Sequence, residues 1–222
     1  MRGEKFAIFV MRVITGIVFG TVFWGVYFFL PVHYFTLLLG AIAGIIVLFE
    51  WKNLYRPTTL WFWLFLPIYL LLPFLLLAYL NYVPAYRILL LYLFLLAFTH
   101  DTGAYIVGSL IGYHKICPSI SPKKTWEGAV GGYISALISL YFMLYERAAQ
   151  FSWIFIIVLT LIASVLFTVG DLVESRLKRR AGIKDSGHFL PGHGGFLDRF
   201  DGILFAAFFV YILRDYLVVL LK

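Results

Sequence analysis

The sequence is poor in cysteine and in charge, and each shortage excludes a class of protein. Cys117 is the only cysteine among 222 residues, which excludes an internal disulfide and a zinc site built from several thiolates. Charged residues make up 13% of the chain and hydrophobic residues 63%. Soluble globular proteins are about 25% charged, so a soluble globular fold is excluded.

Several motifs of common enzymes are also absent. The chain has no G-x-x-x-x-G-K-[ST] sequence, which argues against a P-loop kinase or ATPase. It has neither G-x-S-x-G nor H-E-x-x-H, which argues against a serine hydrolase and a zincin protease. No internal repeat is visible, and this weakens the interpretation as a transporter built from inverted halves.

Long apolar runs fill most of the chain. They predict an all-α, polytopic helical integral membrane protein with about seven transmembrane helices, each near the ~20 residues that cross a bilayer. The first run contains Arg12 and no clear cleavage site, so we expect a retained helix rather than a signal peptide. The predicted spans are Val13–Leu30, Tyr34–Phe49, Leu60–Leu80, Ile88–Val107, Gly128–Tyr145, Trp153–Gly170 and Gly202–Leu221.

Basic residues are distributed unevenly between the predicted connections. The net charge of +7 suits anionic lipid headgroups or phosphate substrates, and charge alone does not indicate nucleic acid. An N-terminus in the cytoplasm puts two polar loops, Gly108–Glu127 and Asp171–Asp201, on the cytoplasmic side, where they can form one site. The positive-inside rule favours this orientation, because it leaves few of the 18 Lys and Arg residues elsewhere, namely Arg87, Arg147, Arg214 and Lys222.

Four carboxylates flank the second polar loop. Asp171 and Glu174 follow one span, and Asp198 and Asp201 precede the next. The spacing of three places each pair on one face of a helix. Carboxylate oxygens are hard ligands that Mg²⁺ takes together with phosphate oxygens and water. We favour metal binding for Asp171 and Asp198, while helix capping or pairing with an arginine stays open for Glu174.

The sequence PGHGG at Pro191–Gly195 follows a cluster of basic residues. Successive backbone N–H groups in such a turn can bind an anion, although a plain glycine-rich turn is the simpler interpretation. His193 could contact a phosphate, orient a carboxylate or act as a structural hydrogen-bonding group. Lys178 and Arg179 could face the site or belong to a surface belt that binds anionic lipid headgroups.

The first polar loop carries hydroxyl and ammonium donors suited to phosphate oxygens, at Ser121, Lys123, Lys124 and Thr125. The simpler interpretation is positive-inside bias, with Ser121 capping the next helix. Asp101 lies near the cytoplasmic end of the fourth span, and a carboxylate there is a candidate functional residue. It could bind a metal, ribose or base, or pair with a lysine.

Two stretches together resemble the signature of a known family. The late stretch reads S-x-x-K-R-x-x-x-x-K-D-x-G-x-x-L-P-G-H-G-G-x-x-D-R-x-D from Ser175 to Asp201. The earlier one reads D-x-x-A-Y-x-x-G from Asp101 and S-P-K-K-T-W-E-G from Ser121. Both resemble the phosphatidate cytidylyltransferases, also called CDP-diacylglycerol synthases. The chain departs from that pattern at Gly202, where serine is common.

The resemblance implies transfer of a cytidylyl group from CTP to phosphatidic acid, giving CDP-diacylglycerol and pyrophosphate. It implies that Mg²⁺ is held by Asp171 and Asp198 with support from Asp201 and Glu174, and that Asp171, Asp198, Lys178 and Arg179 are catalytic. The substrate-binding residues implied are Asp101, Ser121, Lys123, Lys124, Thr125, His193, Gly194, Gly195 and Arg199. We also expect a homodimer, a place in the inner membrane, and a cytoplasmic active site without a nucleic-acid partner.

The chain divides by function into N-terminal transmembrane helices, residues 1–84, and a catalytic transmembrane region, residues 85–222. Two other functions stay open at this point. One is a related nucleotidyltransferase or kinase that acts on another membrane lipid phosphate. The other is a transporter, which the concentration of polar residues at one membrane face disfavours.

Overall fold

The computed structural model describes residues 2–145 and 152–221, and the chain forms two compact units. The first unit contains Met1–Tyr82 and Leu177–Phe200. The second contains Val83–Arg176 and Asp201–Lys222. The functional division at residue 84 stays a prediction.

The first unit is built on three long helices, α1 (Arg2–Phe29), α2 (Val32–Leu54) and α3 (Leu60–Tyr82). The predicted second span, Tyr34–Phe49, is too short, because the helix continues through a π-helical stretch at Ile46–Glu50 and ends only at Leu54. Single π-helical turns are frequent at functional sites, and Glu50 is the last residue of this one.

Aromatic side chains form the core of the first unit. Phe23 and Phe35 are buried, and their rings lie 5.0 Å apart edge to face, which is a favoured arrangement for aromatic pairs. The buried Trp51 donates from Nε1 to the carbonyl of Phe62 at 3.2 Å. Its one polar atom is therefore satisfied inside the apolar core.

The second unit begins with α4 (Arg87–Ile111), which is followed by an antiparallel hairpin of β1 (Lys115–Cys117) and β2 (Ser121–Thr125). Next come α5 (Trp126–Met143) and α6 (Trp153–Arg180). The last two helices are α7 (Leu197–Ile212) and α8 (Arg214–Leu221). Helices α6 and α7 each begin or end in the other unit.

The helices confirm an all-α integral membrane protein, but not the number of spans. Within the described residues, α1, α2, α3, α4 and α6 are long and apolar enough to cross a membrane. The predicted last span, Gly202–Leu221, is not straight, because α7 and α8 meet at an 82° bend. Counting that pair as one span gives six. Of the four basic residues placed away from the cytoplasm, Arg147 and Lys222 lie outside the described residues.

An ion pair within the second unit bears on the remaining helix, α5. Lys124, just before α5, pairs with Asp171, which lies well along α6. Asp171 is about 27 Å from the start of α6 at 1.5 Å per residue. The chain between Lys124 and Trp153 has to cover that distance in the opposite direction, and the 18 residues of α5 cover about 27 Å. The pair is therefore consistent with an α5 that crosses the membrane, although α5 is not among the candidate spans of the described residues, and the seventh span stays a prediction.

Cysteine labelling tests this topology. In a Cys117→Ser background, we expect Lys115→Cys and Ser152→Cys to react with an impermeant maleimide from opposite sides of the membrane, since both positions are exposed and α5 separates them. Lys115→Cys should react from the cytoplasmic side. Reaction of both positions from the same side would show that α5 does not cross.

Candidate active site

Three carboxylates come together in the second unit. Asp171, Glu174 and Asp201 each offer an oxygen, and these oxygens lie within 4.8 Å of one another. Glu174 is fully buried and Asp201 is 8% exposed. Carboxylates held so close repel one another unless a proton or a cation intervenes. Their hard oxygen atoms suit a divalent ion such as Mg²⁺.

Two glycines allow this cluster to form. A Cβ at Gly170 would lie 2.6 Å from the carbonyl oxygen of Asp201, and a Cβ at Gly202 would lie 2.9 Å from the Cα of Phe167. The backbones of α6 and α7 therefore touch where the two glycines lie. Each glycine directly adjoins a carboxylate of the cluster, so the close helix contact brings Asp171 and Asp201 together.

Lys124 and Asp101 add charge to the cluster. Lys124 forms an ion pair with Asp171, whose Oδ1 also accepts a hydrogen bond from the Ser175 hydroxyl at 3.2 Å. Asp101 is exposed on α4, and its negative charge acts on Asp201. The structure thus joins a lysine of the first polar loop to an aspartate of the second, as the prediction of one shared site requires.

The hairpin that carries Lys124 is fixed to the start of α5. The Thr125 hydroxyl accepts from the Gly128 N–H at 3.1 Å and caps the helix. Glu127 accepts from the His114 ring at 2.6 Å and from the Tyr113 N–H at 3.1 Å. These bonds, the His114 contact above all, lower the pKa of Glu127 to about 2. The carboxylate is therefore ionised at neutral pH and holds the hairpin in place.

The other predicted phosphate-binding groups of the hairpin differ in their surroundings. Lys123 is exposed on β2, and Ser121 is partly buried. Thr125, in contrast, is buried at 2% exposure, and its hydroxyl already caps α5. Lys123 and Ser121 are accessible to a ligand, whereas the structure gives Thr125 a structural contact.

Asp198, in the first unit, is engaged by protein groups. Its Oδ1 lies 2.5 Å from the Lys178 ammonium nitrogen. Its Oδ2 accepts from the Ser186 N–H at 3.0 Å, the Ser186 hydroxyl at 2.9 Å and the Gly195 N–H at 2.7 Å. Four donors thus hold one carboxylate, and a role for Asp198 as a metal ligand stays a prediction.

Glu50 is the residue of this region that the sequence interpretation missed. It is fully buried and accepts hydrogen bonds from the N–H groups of Phe196 and Leu197, both at 2.8 Å. The Ser186 hydroxyl lies 3.1 Å from its Oε2. The sequence does contain a signal for Glu50. It is the only acidic residue between Lys5 and Asp101, and a carboxylate within an apolar span is a candidate functional residue.

The PGHGG turn is held by these carboxylates and by two arginines. Gly192 and Gly194 have positive φ values of 77° and 84°, a conformation that favours glycine. The Arg12 Nε donates to the Gly192 carbonyl at 2.8 Å, and Arg199 donates to the His193 carbonyl at 3.1 Å. The N–H of Gly195 binds Asp198, so this donor of the expected anion-binding turn has a protein acceptor.

The structure also shows what surrounds His193 and Arg179, two of the predicted site residues. Burial, together with the positive charges of Arg199 and Arg12, lowers the pKa of His193, so its imidazole is neutral at pH 7. Arg179 donates to the carbonyl of Ile183 at 2.9 Å, just beyond the end of α6. This contact satisfies a carbonyl that follows the helix terminus and gives Arg179 a structural role in the fold.

These features define a class of protein. Its members are embedded in the membrane and carry a lysine beside a cluster of acidic side chains of the type that binds divalent metal. The sequence comparison gives the family. The sequence model of the cytidylyltransferase family matches residues 1–217, and the chain belongs to that family. This family suggests a divalent metal, in agreement with the acidic cluster.

Curated relatives of the chain share a single description, phosphatidate cytidylyltransferase. The protein of Staphylococcus haemolyticus is 50% identical over 116 residues, which are 52% of this chain and 45% of the relative. That of Staphylococcus saprophyticus is 51% identical over 117 residues, with the same coverage of 52% and 45%. The chain therefore spans about half the length of the curated relatives it matches.

Replacement of Glu50 tests the hydrogen-bond network around it. We expect Glu50→Leu to lower the free energy of unfolding by several kcal/mol, about 1–3 for each buried donor left without an acceptor. Glu50→Gln should cost less, since its carbonyl oxygen still accepts. Thermal unfolding in detergent measures both, with Leu48→Ala as the control on a nearby exposed side chain. Equal melting temperatures for all three variants would contradict the network.

Proposed function

We propose that the chain transfers a cytidylyl group from CTP to phosphatidic acid and releases pyrophosphate. An oxygen of the lipid phosphate attacks the α-phosphorus of CTP, and the bond from that phosphorus to the α–β bridging oxygen breaks. The lipid phosphate is already ionised, so no protein nucleophile is required. The observation that carries the proposal is the Asp171–Glu174–Asp201 cluster beside Lys124 in a chain of the cytidylyltransferase family.

The acidic cluster fits a divalent ion, which we propose is Mg²⁺. Three hard oxygen donors within 4.8 Å of one another match a metal that takes one or more carboxylates and completes its shell with phosphate oxygens and water. Asp171, Glu174 and Asp201 would hold it. When bound, the ion would supply positive charge to phosphate oxygens and orient them for in-line displacement.

Two anions have to meet in this reaction, so cationic side chains near the cluster matter. Lys124, which pairs with Asp171, is placed to exchange that partner for a phosphate oxygen of CTP. Lys123 is exposed on the same strand and can take a second phosphate. Such fixed charges lower the barrier by stabilising the negative charge that shifts to the leaving pyrophosphate.

The residues of the first unit have a supporting part in the proposal. Lys178 and Asp198 form a charge-assisted hydrogen bond at 2.5 Å, and the bonds from Ser186 and Gly195 fix the same carboxylate. We propose that this network keeps the PGHGG turn in one conformation for substrate phosphates. Arg199 and His193 would then present their side chains from that turn.

The membrane setting completes the proposal. The distribution of Lys and Arg favours a cytoplasmic site, where CTP is available, in the inner membrane of a cell. Phosphatidic acid would approach from within the bilayer. We also propose a homodimer, which rests on the family resemblance alone.

Turnover by the purified full chain tests the proposed function. We expect CTP and phosphatidic acid to give CDP-diacylglycerol and pyrophosphate only when Mg²⁺ is present. Asp171→Asn should abolish turnover, because it removes a ligand charge from the cluster, and the protein should stay folded. Asp215→Asn, which changes an exposed aspartate of α8 outside both stretches of the family signature, is the charge-matched control and should retain turnover.

Two results would contradict the proposal in different ways. Product formation that is unchanged in Asp171→Asn would remove the cluster from the reaction. A folded wild-type chain that makes no product from CTP and phosphatidic acid, but does so from another lipid phosphate or nucleotide, would favour the related nucleotidyltransferases.

A further inference from the structure

The first unit contains an apolar cavity of about 430 Å³. Helices α1 and α2 form its sides, with Ile14, Val18 and Phe23 on one and Ala41 and Ile45 on the other. Ile14, Val18 and Ala41 are exposed, so the cavity is open to the surroundings of the helices. In a membrane protein those surroundings are lipid.

The segment that leads into and out of the PGHGG turn covers one end of the cavity. Phe189, Leu190, Pro191 and Phe196 line it. The same segment is fixed by Glu50, which binds the N–H of Phe196. The apolar cavity is therefore built against the network that holds Asp198 and is not a separate surface feature.

Cationic side chains contact this segment. Arg12 donates from Nε to the carbonyl of Gly192, the residue after Pro191, and its side chain is exposed. Arg199 binds the carbonyl of His193. Gly192 and His193 are adjacent in the chain, so the two guanidinium groups that bind their carbonyls lie near one another. Together they suit an anion at the mouth of an apolar cavity.

The length of the cavity matches one leaflet of a bilayer. Its lining on α1 runs from Ile14 to Phe23, which is about 13 Å at 1.5 Å per residue. The hydrocarbon core of a bilayer is about 30 Å thick, so one leaflet accounts for roughly half of that. The cavity starts next to Arg12, at the polar end of α1, and has the depth of a single acyl chain.

We propose that this cavity binds one acyl chain of phosphatidic acid and that Arg12 binds the lipid phosphate at its mouth. The inference rests on the proposed function and adds the place where the lipid substrate is held. The second acyl chain stays in the bilayer. Binding in this position brings the headgroup of the lipid to the PGHGG turn.

The charge at the mouth is what distinguishes this occupant from bulk lipid or a second copy of the chain. A neutral lipid would fill the apolar part equally well but would leave Arg12 without a phosphate. A helix from another copy would have to bring a carboxylate to the same place. Phosphatidic acid supplies an apolar chain and an anion at the spacing that the cavity and Arg12 require.

Photolabelling of the full chain in nanodiscs tests the proposal. The probe is phosphatidic acid with a diazirine on one acyl chain, compared with diacylglycerol that carries the same chain. We expect the phosphatidic acid probe to label peptides that contain Ile14–Phe23 and Leu38–Ile45. Ala41→Trp, which fills the cavity from α2, should lower that labelling about tenfold, a change of about 1.4 kcal/mol. Leu37→Trp is the matched control, since Leu37 is 65% exposed on α2 and does not line the cavity.

A second substitution tests the part played by charge. Arg12→Gln should lower labelling by phosphatidic acid about tenfold, as expected for loss of a charge-assisted hydrogen bond, and leave labelling by diacylglycerol unchanged. Melting temperatures show that each variant is folded. Equal labelling by both probes in the wild type, or labelling that Ala41→Trp does not lower, would overturn the proposal and indicate bulk lipid or a partner helix.

These experiments distinguish a failure of the lipid site from a failure of the proposed function. Specific labelling without any CTP turnover would leave the lipid site in place and refute the reaction. Turnover without labelling of these peptides would support the reaction and refute the cavity as its lipid site.

Discussion

A carboxylate inside a membrane protein has to be compensated, and this constraint explains most of the polar structure of the chain. An uncompensated charge in an apolar setting costs several kcal/mol. Glu50 meets the constraint with two backbone N–H groups at 2.8 Å. Asp198 meets it with Lys178, the backbone N–H groups of Ser186 and Gly195, and the Ser186 hydroxyl. Apart from Lys178, which lies on α6, the compensating groups come from the loop after α6 and from the first residue of α7.

The cluster of Asp171, Glu174 and Asp201 meets the same constraint in another way. The three carboxylates lie within 4.8 Å of one another, so each one raises the electrostatic free energy of the others when they are ionised. The ion pair of Lys124 with Asp171 brings a positive charge to the group. A divalent ion is the natural further partner. The same repulsion that makes the cluster costly would thus make it a strong metal site.

The sequence predicted the all-α membrane fold and offered the three carboxylates of the cluster as candidate ligands, because both inferences depend on composition and local spacing. Apolar runs located most of the helices, and the spacing of Asp171 and Glu174 placed them on one helix face. The metal-ligand role expected for Asp171 and Asp198, with Asp201 and Glu174 in support, stays a prediction, and the acidic cluster of the structure contains Asp171, Glu174 and Asp201. Which carboxylates meet depends on where α6 and α7 touch, and that contact is set by Gly170 and Gly202.

Two other features were not predicted. Glu50 contacts residues 136 to 147 positions away, so no local pattern connects it with the late loop. The bend between α7 and α8 lies directly before Arg214 and Asp215, in a run that contains no proline. That charged pair is a local signal for the bend, whereas the Glu50 contacts depend on packing between segments that are far apart in the sequence.

The most direct test of the account is whether the acidic cluster binds a divalent ion. Electron paramagnetic resonance of Mn²⁺, added to the purified chain without nucleotide, measures this, since Mn²⁺ takes the same oxygen ligands as Mg²⁺. We predict saturable binding that Mg²⁺ competes away, that Asp201→Asn weakens strongly, and that Asp215→Asn, at an exposed aspartate of α8, leaves unchanged. Equal Mn²⁺ binding by the wild type and by Asp201→Asn would contradict the account.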